Sequence, residues 1–233
     1  MIPAVLLLAS CGKDDDPATP APDQSRVMLV HDAANLSTFP IKLAVGANQG
    51  PSVNYGANSG YQTTGTGVLE IKPSIAATGG ALLTTDIKTL GKDKSYSYFV
   101  FSGVSQPANT ALGVWTEDDL TAPASGMAKL RLVHVGQGLT SPLGLSKPNS
   151  GGTLTAVIPT TTTGTASAFV SIPTGTASYN LVNSNNNTIV PLAGASVLAT
   201  NFVAGKIYTI VIRGSSSPAT ANEQFTLDLI TNN

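Results

Sequence analysis

Short segments of alternating apolar and polar residues recur along most of the chain. In residues 41–45, for example, Ile41, Leu43 and Val45 alternate with a lysine and an alanine. Such alternation places every second side chain on the same face of a β-strand. Clusters of Gly, Pro, Asn and Ser, which are typical of turns, separate these segments. The pattern predicts an all-β fold made of antiparallel β-sandwiches.

The two halves of the chain are similar to each other in sequence. Residues 26–31 (RVMLVH) match residues 129–134 (KLRLVH). Three further pairs of segments follow in the same order: 40–43 with 142–145, 64–67 with 174–177, and 94–96 with 206–208. Collinear matches of this kind are typical of tandem copies of one domain. We therefore predict a first β-sandwich over residues 26–120, a linker over 121–127 and a second β-sandwich over 128–233.

Several of these segments resemble a known family. The stretches VMLVHDAAN and LRLVHVGQG, the TGT turn and the join TEDDLTAPASGMAKLRLVH are similar to the DUF4397 domain, over roughly residues 26–230. The resemblance implies tandem Ig-like or prealbumin-like sandwiches in a secreted or lipid-anchored bacterial protein, and the family's function is undefined. The family typically has a Ser-Pro-Asp turn after the histidine. The corresponding turn at 135–138 has no carboxylate, which argues against a shared metal or catalytic role there.

The first residues predict an exported, lipid-anchored protein. Residues 1–10 are mostly apolar and end in small residues, which is typical of the end of a signal peptide. Leu8–Cys11 resembles the lipobox of bacterial lipoproteins, which implies cleavage between Ser10 and Cys11 and lipid attachment to the Cys11 sulfur. The alternative is a buried structural cysteine. The lipobox is favoured because a polar, Pro-rich run follows the cysteine, and membrane contact through this lipid is the first expected interaction.

A polar segment over residues 11–25 is predicted to hold the folded part away from the lipid. Lys13, Asp14, Asp15 and Asp16 resemble the acidic export tract of Bacteroidetes lipoproteins, which implies the cell-surface side of the outer membrane. A solvated spacer is the alternative interpretation. The Pro/Ala-rich remainder favours an extended, polyproline-like tether.

Charged residues are sparse and balanced. Twelve Lys and Arg stand against thirteen Asp and Glu, and charged residues make up 11% of the chain. Near-neutrality gives no electrostatic reason for binding DNA or RNA, so no nucleic-acid partner is expected. No segment after the first residues approaches the roughly 18 apolar residues that a membrane-spanning helix needs.

Catalytic and metal-binding residues are not predicted. His31 and His134 are the only histidines, and the repeat places them at equivalent strand ends. One interpretation is a ligand or base, helped by Asp32 in the first copy. The favoured interpretation is a structural histidine that hydrogen-bonds the following loop. One histidine per copy cannot form a His/Cys zinc site, and Cys11 is assigned to the lipid, so we expect no enzyme activity, metal or cofactor.

The remaining charged positions are predicted to be structural. Lys129 and Arg131 alternate with two leucines, so both basic side chains are expected to face solvent. The acidic run 117–119 (EDD) lacks the alternating ligand spacing of a calcium loop. We expect it to end a strand and to begin the linker.

Aromatic residues are the candidates for a binding surface. Trp115, Tyr96 and Tyr98 could stack on sugars if they are exposed, whereas core packing is the alternative. The sequence therefore predicts a surface-anchored, non-catalytic lipoprotein that mediates binding, adhesion or envelope assembly, with a glycan or a surface protein as partner. The alternative function is a glycan-binding accessory lipoprotein of a polysaccharide-uptake system, in which Asn-rich loops such as 183–187 contribute.

Overall fold

A computed structural model describes residues 22–83, 85–104, 110–192 and 197–233. Over these residues the chain is almost entirely β-structure, in four sheets that pack as sandwiches. No helix in these ranges is long and apolar enough to cross a membrane. Ser10, Cys11 and the tract from Lys13 to Asp16 lie outside the described residues. The prediction of an all-β fold is confirmed.

The first half forms two four-stranded sheets. Its strands are β1 (Gln24–Asp32), β2 (Ile41–Val45), β3 (Asn48–Gln49), β4 (Asn58–Gly65), β5 (Gly67–Ile75), β6 (Asp86–Leu90), β7 (Ser95–Phe101) and β8 (Leu112–Glu117), with a 3₁₀ turn at Ala34–Leu36. One sheet has the strand order β4-β1-β7-β8, and the other has the order β3-β2-β5-β6. The chain therefore alternates between the sheets: β2 and β3 lie in the second sheet, β4 returns to the first, β5 and β6 lie in the second, and β7 and β8 lie in the first.

The second half has a corresponding strand order. Its strands are β9 (Met127–His134), β10 (Leu143–Pro148), β11 (Leu154–Thr161), β12 (Thr165–Ala166), β13 (Val170–Pro173), β14 (Gly175–Asn183), β15 (Thr188–Ile189), β16 (Val197–Phe202), β17 (Ile207–Arg213) and β18 (Thr226–Thr231), with a 3₁₀ turn at Ala221–Glu223. In one sheet, β9 lies between β17 and the short strands β12 and β13, and β17 pairs with β18. In the other sheet, β10 pairs with β11 and β14, and β14 also pairs with β15 and β16.

Each half contains one parallel strand pair, which alternation alone does not reveal. β1 runs parallel to β7, with Val27 opposite Tyr96, and β9 runs parallel to β17, with Leu130 opposite Tyr208. Parallel neighbours need a long crossover connection. Here the connection runs through the other sheet and through edge strands of the same sheet. The fold is thus predominantly, but not purely, antiparallel.

An apolar core fills each sandwich. In the first, Ile41 is fully buried and Leu43 and Val45 are nearly so, as the alternation in residues 41–45 predicts. They pack against Val27 and Leu29 of the facing sheet. The second core is built in the same way around β9, β10, β14 and β17.

A third apolar cluster joins the two sandwiches face to face. Met28, Val30 and Phe99 of the first half are buried against Val133 and Val211 of the second. All seven residues of β7 are consequently buried, because one face of the strand contacts its own core and the other contacts the second sandwich. We call this sheet-to-sheet contact the inter-sandwich interface.

The solvent-facing orientation expected for Arg131 is wrong. Arg131 is only 2% exposed, and its guanidinium lies 2.6 Å from the carboxylate of Asp118, which is also buried. One face of β9 packs on its own core, and the first sandwich covers the other face. Arg131 lies on this second face and is therefore not exposed to solvent. Lys129, at the start of β9, pairs with Asp119 at 2.7 Å and keeps a more accessible position.

Candidate functional site

A polar network surrounds the Arg131–Asp118 ion pair inside the inter-sandwich interface. The Asp118 carboxylate accepts hydrogen bonds from the Tyr61 hydroxyl at 2.6 Å and from the Ser97 hydroxyl at 2.5 Å. The Arg131 Nε donates to the Thr209 hydroxyl at 2.9 Å. Buried ions are tolerated when their hydrogen-bonding groups are satisfied in this way. The acidic residue expected to begin the linker therefore joins the two sandwiches.

Arg131 is also held between aromatic rings. Its guanidinium carbon lies 4.6 Å from the ring centre of Phe169 and 5.7 Å from that of Phe99. Planar guanidinium groups stack favourably on aromatic faces. Phe99 comes from the first sandwich and Phe169 from the second, so the cation contacts both.

A second polar cluster lies at the end of β1 and β17. The Arg213 guanidinium pairs with the carboxylate of Asp228 and lies 4.8 Å from the ring centre of Tyr55. Next to it, the Glu223 carboxylate accepts a hydrogen bond from the Ser37 hydroxyl at 2.6 Å. Tyr55 and Ser37 belong to the first half, whereas the charged groups belong to the second. This cluster therefore also bridges the two sandwiches.

Asp32 lies in this second cluster and is 2% exposed. Its Oδ2 atom has no hydrogen-bond partner among the described residues. Burial, reinforced by the nearby charge of Asp228 and opposed by that of Arg213, raises the pKa of Asp32 to about 8. A carboxylic acid in this environment is mostly protonated at neutral pH. Asp32 is therefore a buried, neutral carboxylic acid and not an exposed anion.

Both histidines are buried and neutral at physiological pH. His31 Nε2 lies 3.1 Å from the carbonyl oxygen of Phe39, and its Nδ1 accepts a hydrogen bond from the Ala33 N–H at 3.4 Å. His134 Nε2 lies 3.3 Å from the Thr163 hydroxyl. Burial lowers the pKa of each histidine to about 4. For His31, the prediction of a histidine that hydrogen-bonds the following loop is confirmed.

No group of three metal-ligating side chains comes together in the described ranges of the chain. His31 and Asp32 are neighbours in sequence, but consecutive strand residues point to opposite faces. His31 packs edge-on against Tyr55 with a ring-centre distance of 5.7 Å. The arrangement suits the fixing of the loop after β1.

The three aromatic candidates form one packed cluster. Trp115 stacks on Tyr96 at 5.2 Å between ring centres and contacts Tyr98 at 5.8 Å. Tyr96 and Tyr98 are 4% and 3% exposed, and Trp115 is half-buried against the first core. Tyr96 uses its hydroxyl to accept a hydrogen bond from the Gly91 N–H at 2.9 Å. An exposed stacking platform for sugars is therefore not formed, because the rings cover the core.

A cleft that the alternation of apolar and polar residues does not predict opens at one edge of the first sandwich. It has a volume of about 200 Å³ and lies between the edge strands β3 and β4. Its floor is apolar, and its rim carries amides and hydroxyls; the lining side chains are Val27, Leu29, Leu43, Val45, Asn48, Gln49, Pro51, Ser59, Gln62, Thr63 and Thr64. None of these residues is charged. We call this feature the edge cleft.

A signal for the edge cleft exists in the repeat itself. β3 is two residues long, whereas β11, at the corresponding place of the second half, is eight. Leu145 of the second half is paired with Ile158. Leu43 is the residue of the first half that corresponds to Leu145. Its carbonyl oxygen accepts a hydrogen bond from the Gly50 N–H at 2.8 Å. Gly50 has no side chain to fill the space that Ile158 fills in the second sandwich, so the edge cleft stays open.

Residues 43–139 match the family model described as a domain of unknown function, DUF4397. This segment is similar to the DUF4397 domain. The match confirms the family resemblance over that range. It begins inside β2, includes the rest of the first sandwich and the Asp118–Arg131 pair, and ends just after β9. The DUF4397 match thus spans the inter-sandwich join.

Solved structures give only distant likenesses. The Bacillus anthracis TIE protein is 14% identical with a TM-score of 0.27, and the match covers 82% of this chain but 34% of that one. A CBM26 module of Eubacterium rectale Amy13K, solved with maltoheptaose, is 9% identical with a TM-score of 0.23, and the match covers 88% of this chain and 96% of that one. A putative adhesin from Bacteroides ovatus is 8% identical with a TM-score of 0.22 and coverages of 89% and 92%.

TM-scores this low do not establish a common fold. This chain corresponds to about a third of the TIE structure's length. No curated protein matches the chain.

Proposed function

We propose that the protein is a surface-anchored, non-catalytic lipoprotein whose β-sandwiches bind a partner in adhesion or envelope assembly. The observation that carries the proposal is where the ionisable groups lie. Arg131 and Asp118 form a buried ion pair in the inter-sandwich interface, and Arg213 and Asp32 are buried in the second polar cluster. The edge cleft, by contrast, is lined only by uncharged residues. A concave, uncharged surface on a joined scaffold suits binding better than acid–base chemistry.

We further infer that the two halves are tandem copies of one domain. Their strand orders correspond. In both halves a serine hydroxyl also accepts a hydrogen bond from the N–H of a leucine on the first strand. The Leu29 N–H donates to the Ser59 hydroxyl at 2.9 Å, and the Leu132 N–H donates to the Ser167 hydroxyl at 3.0 Å. A repeated contact of this kind supports duplication more strongly than shared strand content does.

The proposed anchor is a lipid on Cys11, and the proposed location is the outer face of the outer membrane. The sequence of the lipobox and of the acidic tract supports both. Bacteria grown with radiolabelled palmitate should label the wild-type chain and should not label the Cys11→Ala variant. A variant with Asp14, Asp15 and Asp16 changed to Ala should keep the label but lose accessibility to protease added to intact cells. Labelled Cys11→Ala protein would contradict the anchor.

The binding function is tested on intact bacteria that produce the full chain. Chemical crosslinking should join the wild-type protein to a defined envelope or surface protein. The Cys11→Ala variant, released from the membrane, should give much less of the same product. Retention on a glycan array without any crosslinked protein would instead favour the alternative, a glycan-binding accessory lipoprotein. Absence of both products would contradict the proposal.

A further inference from the structure

β4 is an edge strand whose outer side is free. In the described residues β4 pairs only with β1. Residues of an edge strand present every second N–H and C=O to solvent, and such a row can pair with another chain. The hydrogen bonds of β1 show which residues of β4 direct their N–H and C=O groups to solvent.

Alternation along β1 assigns the outward groups. The Arg26 N–H donates to the Lys94 carbonyl at 2.9 Å, so the peptide groups of Arg26 point to the β7 side. Those of Val27 then point to β4, where Val27 is paired with Gln62. The next residue of β4, Thr63, therefore directs its N–H and C=O away from the sheet.

The free edge carries neither a charge nor a proline, and its register shift against β1 lies before Tyr61. β4 has the sequence NSGYQTTG, which contains neither a charged residue nor a proline. Natural edge strands commonly use Lys, Pro or a covering loop to avoid pairing with other chains. From Tyr61 to Gly65 the edge is regular and is open to an extended peptide.

The edge cleft lies directly beside this edge. Val27 and Leu29 form its floor on the β4 side, and Leu43 and Val45 form it on the facing sheet. Side chains of a strand added next to β4 alternate between the two faces of the sheet. Those on the inner face would enter the edge cleft.

The second sandwich shows which side chain fills the equivalent gap. There, Ile158 of β11 is 1% exposed and belongs to the core. The first sandwich has Gly50 at that position, and it supplies no side chain. The missing group is therefore a branched aliphatic side chain carried by an extended strand, and the uncharged rim matches a neutral peptide.

We propose that the β4 edge and the edge cleft bind an extended, uncharged peptide strand of a partner protein, which inserts an isoleucine-like side chain into the cleft. This inference rests on the proposed binding function and specifies its site. Main-chain hydrogen bonds to Tyr61 and Thr63 give affinity, and the cleft selects the side chain, as in other strand additions. In the second sandwich the comparable aliphatic side chain reaches the core from β11, which pairs with β10, the counterpart of β2. In the first sandwich the partner's side chain reaches the core from the opposite side, next to β4.

The probe is a fluorescent synthetic peptide with the β11 sequence, residues 153–161, and the protein is the full chain in detergent. Fluorescence anisotropy should show saturable binding of this peptide. A peptide carrying Ile158→Asp should bind at least about tenfold more weakly, because a carboxylate would be buried without a partner. Amide hydrogen exchange should become slower at Tyr61 and Thr63 when the peptide binds.

Two proline variants give a matched comparison. Thr63→Pro removes an outward N–H on the β4 edge, where sheets tolerate proline, and should weaken peptide binding about tenfold or more. Thr89→Pro removes an outward N–H on β6, at the far edge of the facing sheet. The Glu70 carbonyl accepts from the Gly46 N–H on the β2 side, so Thr89, opposite Val68, points outward. Thr89→Pro should leave peptide binding unchanged.

The Gly50→Ile variant tests independently whether the edge cleft receives a side chain of the peptide. Its added side chain should occupy the edge cleft and abolish peptide binding, with a small shift of the Leu43 carbonyl, which lies 3.1 Å from the new Cβ. Circular dichroism checks that the glycine variant and both proline variants fold.

Three results would overturn the inference. They are no binding at about 1 mM peptide, equal weakening by the two proline variants, and displacement of bound peptide by a neutral sugar but not by unlabelled peptide. If the envelope crosslink persists in Thr63→Pro, the strand-addition site is wrong while the proposed binding function stands. If the crosslink is absent in the wild type, the binding function itself fails.

Discussion

The guanidinium of Arg131 lies 2.6 Å from the carboxylate of Asp118, and the two side chains meet between the sandwiches, almost fully shielded from water. Asp118 follows the last strand of the first half, and Arg131 lies on the first strand of the second. The pair therefore links the two halves across a short connection. Its neighbours Tyr61 and Thr209 extend the network into both sheets.

Removing one partner of this pair should be strongly destabilising. Arg131→Met leaves the Asp118 carboxylate buried without its cation, and we expect a loss of about 3–5 kcal/mol in the free energy of unfolding. Urea denaturation of the full chain measures this loss. Lys129→Met removes the more accessible ion pair with Asp119 and should cost at most about 1 kcal/mol. Equal effects of the two variants would show that the buried pair does not stabilise the interface.

Replacing both members of the buried pair should restore much of the stability. In Arg131→Met combined with Asp118→Leu, neither charge is left unpaired, and buried pairs can often be replaced by apolar groups without loss. We expect the double variant to be more stable than Arg131→Met alone. A double variant that is less stable than either single variant would mean that the hydrogen bonds around the pair matter more than its charges.

Asp32 should make the protein less stable as the pH rises. Its pKa is about 8 in the folded chain against an ordinary value of 3.8, so the folded state holds a proton that the unfolded state releases. This group therefore lowers the free energy of unfolding between about pH 4 and pH 8, with a slope approaching 1.4 kcal/mol per pH unit. Asp32→Asn should remove this contribution, as measured by urea denaturation between about pH 7 and 8, above the range in which the two histidines contribute.

The groups around Asp32 do not produce the same slope. The lowered pKa of His31, about 4 against 6.5, gives a slope of the opposite sign below about pH 6.5, and Arg213 stays charged. As a control, Asp119 is exposed and its pKa is lowered to about 2 by hydrogen bonds from Lys129 and Thr121. Asp119→Asn should therefore leave the slope between about pH 7 and 8 unchanged. An unchanged slope in Asp32→Asn would mean that Asp32 is ionised in the folded protein.

The two histidines should titrate together and with the opposite effect. Burial lowers each pKa to about 4 from 6.5, so the unfolded state binds protons that the folded state excludes. Their contribution to stability is present above about pH 6.5 and is lost as the pH falls towards 4. Nuclear magnetic resonance of the imidazole signals should give midpoints near 4 for His31 and His134. A midpoint near 6.5 for either residue would show that its ring is exposed to water.

Gly56 should be less tolerant of substitution than Gly60. Both have positive φ angles, 75° and 62°, which favour glycine. A Cβ atom at Gly56 would lie 2.9 Å from Nη2 of Arg213, whereas one at Gly60 has no neighbour within 4 Å. Gly60→Ala therefore measures the backbone strain alone, about 1 kcal/mol. We expect Gly56→Ala to lower the free energy of unfolding by at least about 1 kcal/mol more, because Arg213 must move.

Local patterns were sufficient for the strands and for part of the core. Ile41, Leu43 and Val45 were assigned to one face by alternation, and all three lie in the first core. On β7, Tyr96 and Tyr98 lie in the first core and Phe99 and Phe101 in the inter-sandwich interface, as their positions in the alternation require. These features depend on neighbouring residues of one strand, which any short window of sequence contains.

The amino-acid sequence by itself determined the β-strands, the family resemblance and which residues share a face of each strand. Only the tertiary structure decided what covers each face. Arg131 shares its face with Lys129 in either description, but whether that face meets water or a second sheet depends on contacts between distant segments. The edge cleft arises in the same way, since Gly50 opens a gap only because no other described strand lies beside β4. Alternation reports the orientation of side chains relative to their own strand, whereas exposure depends on packing between sheets.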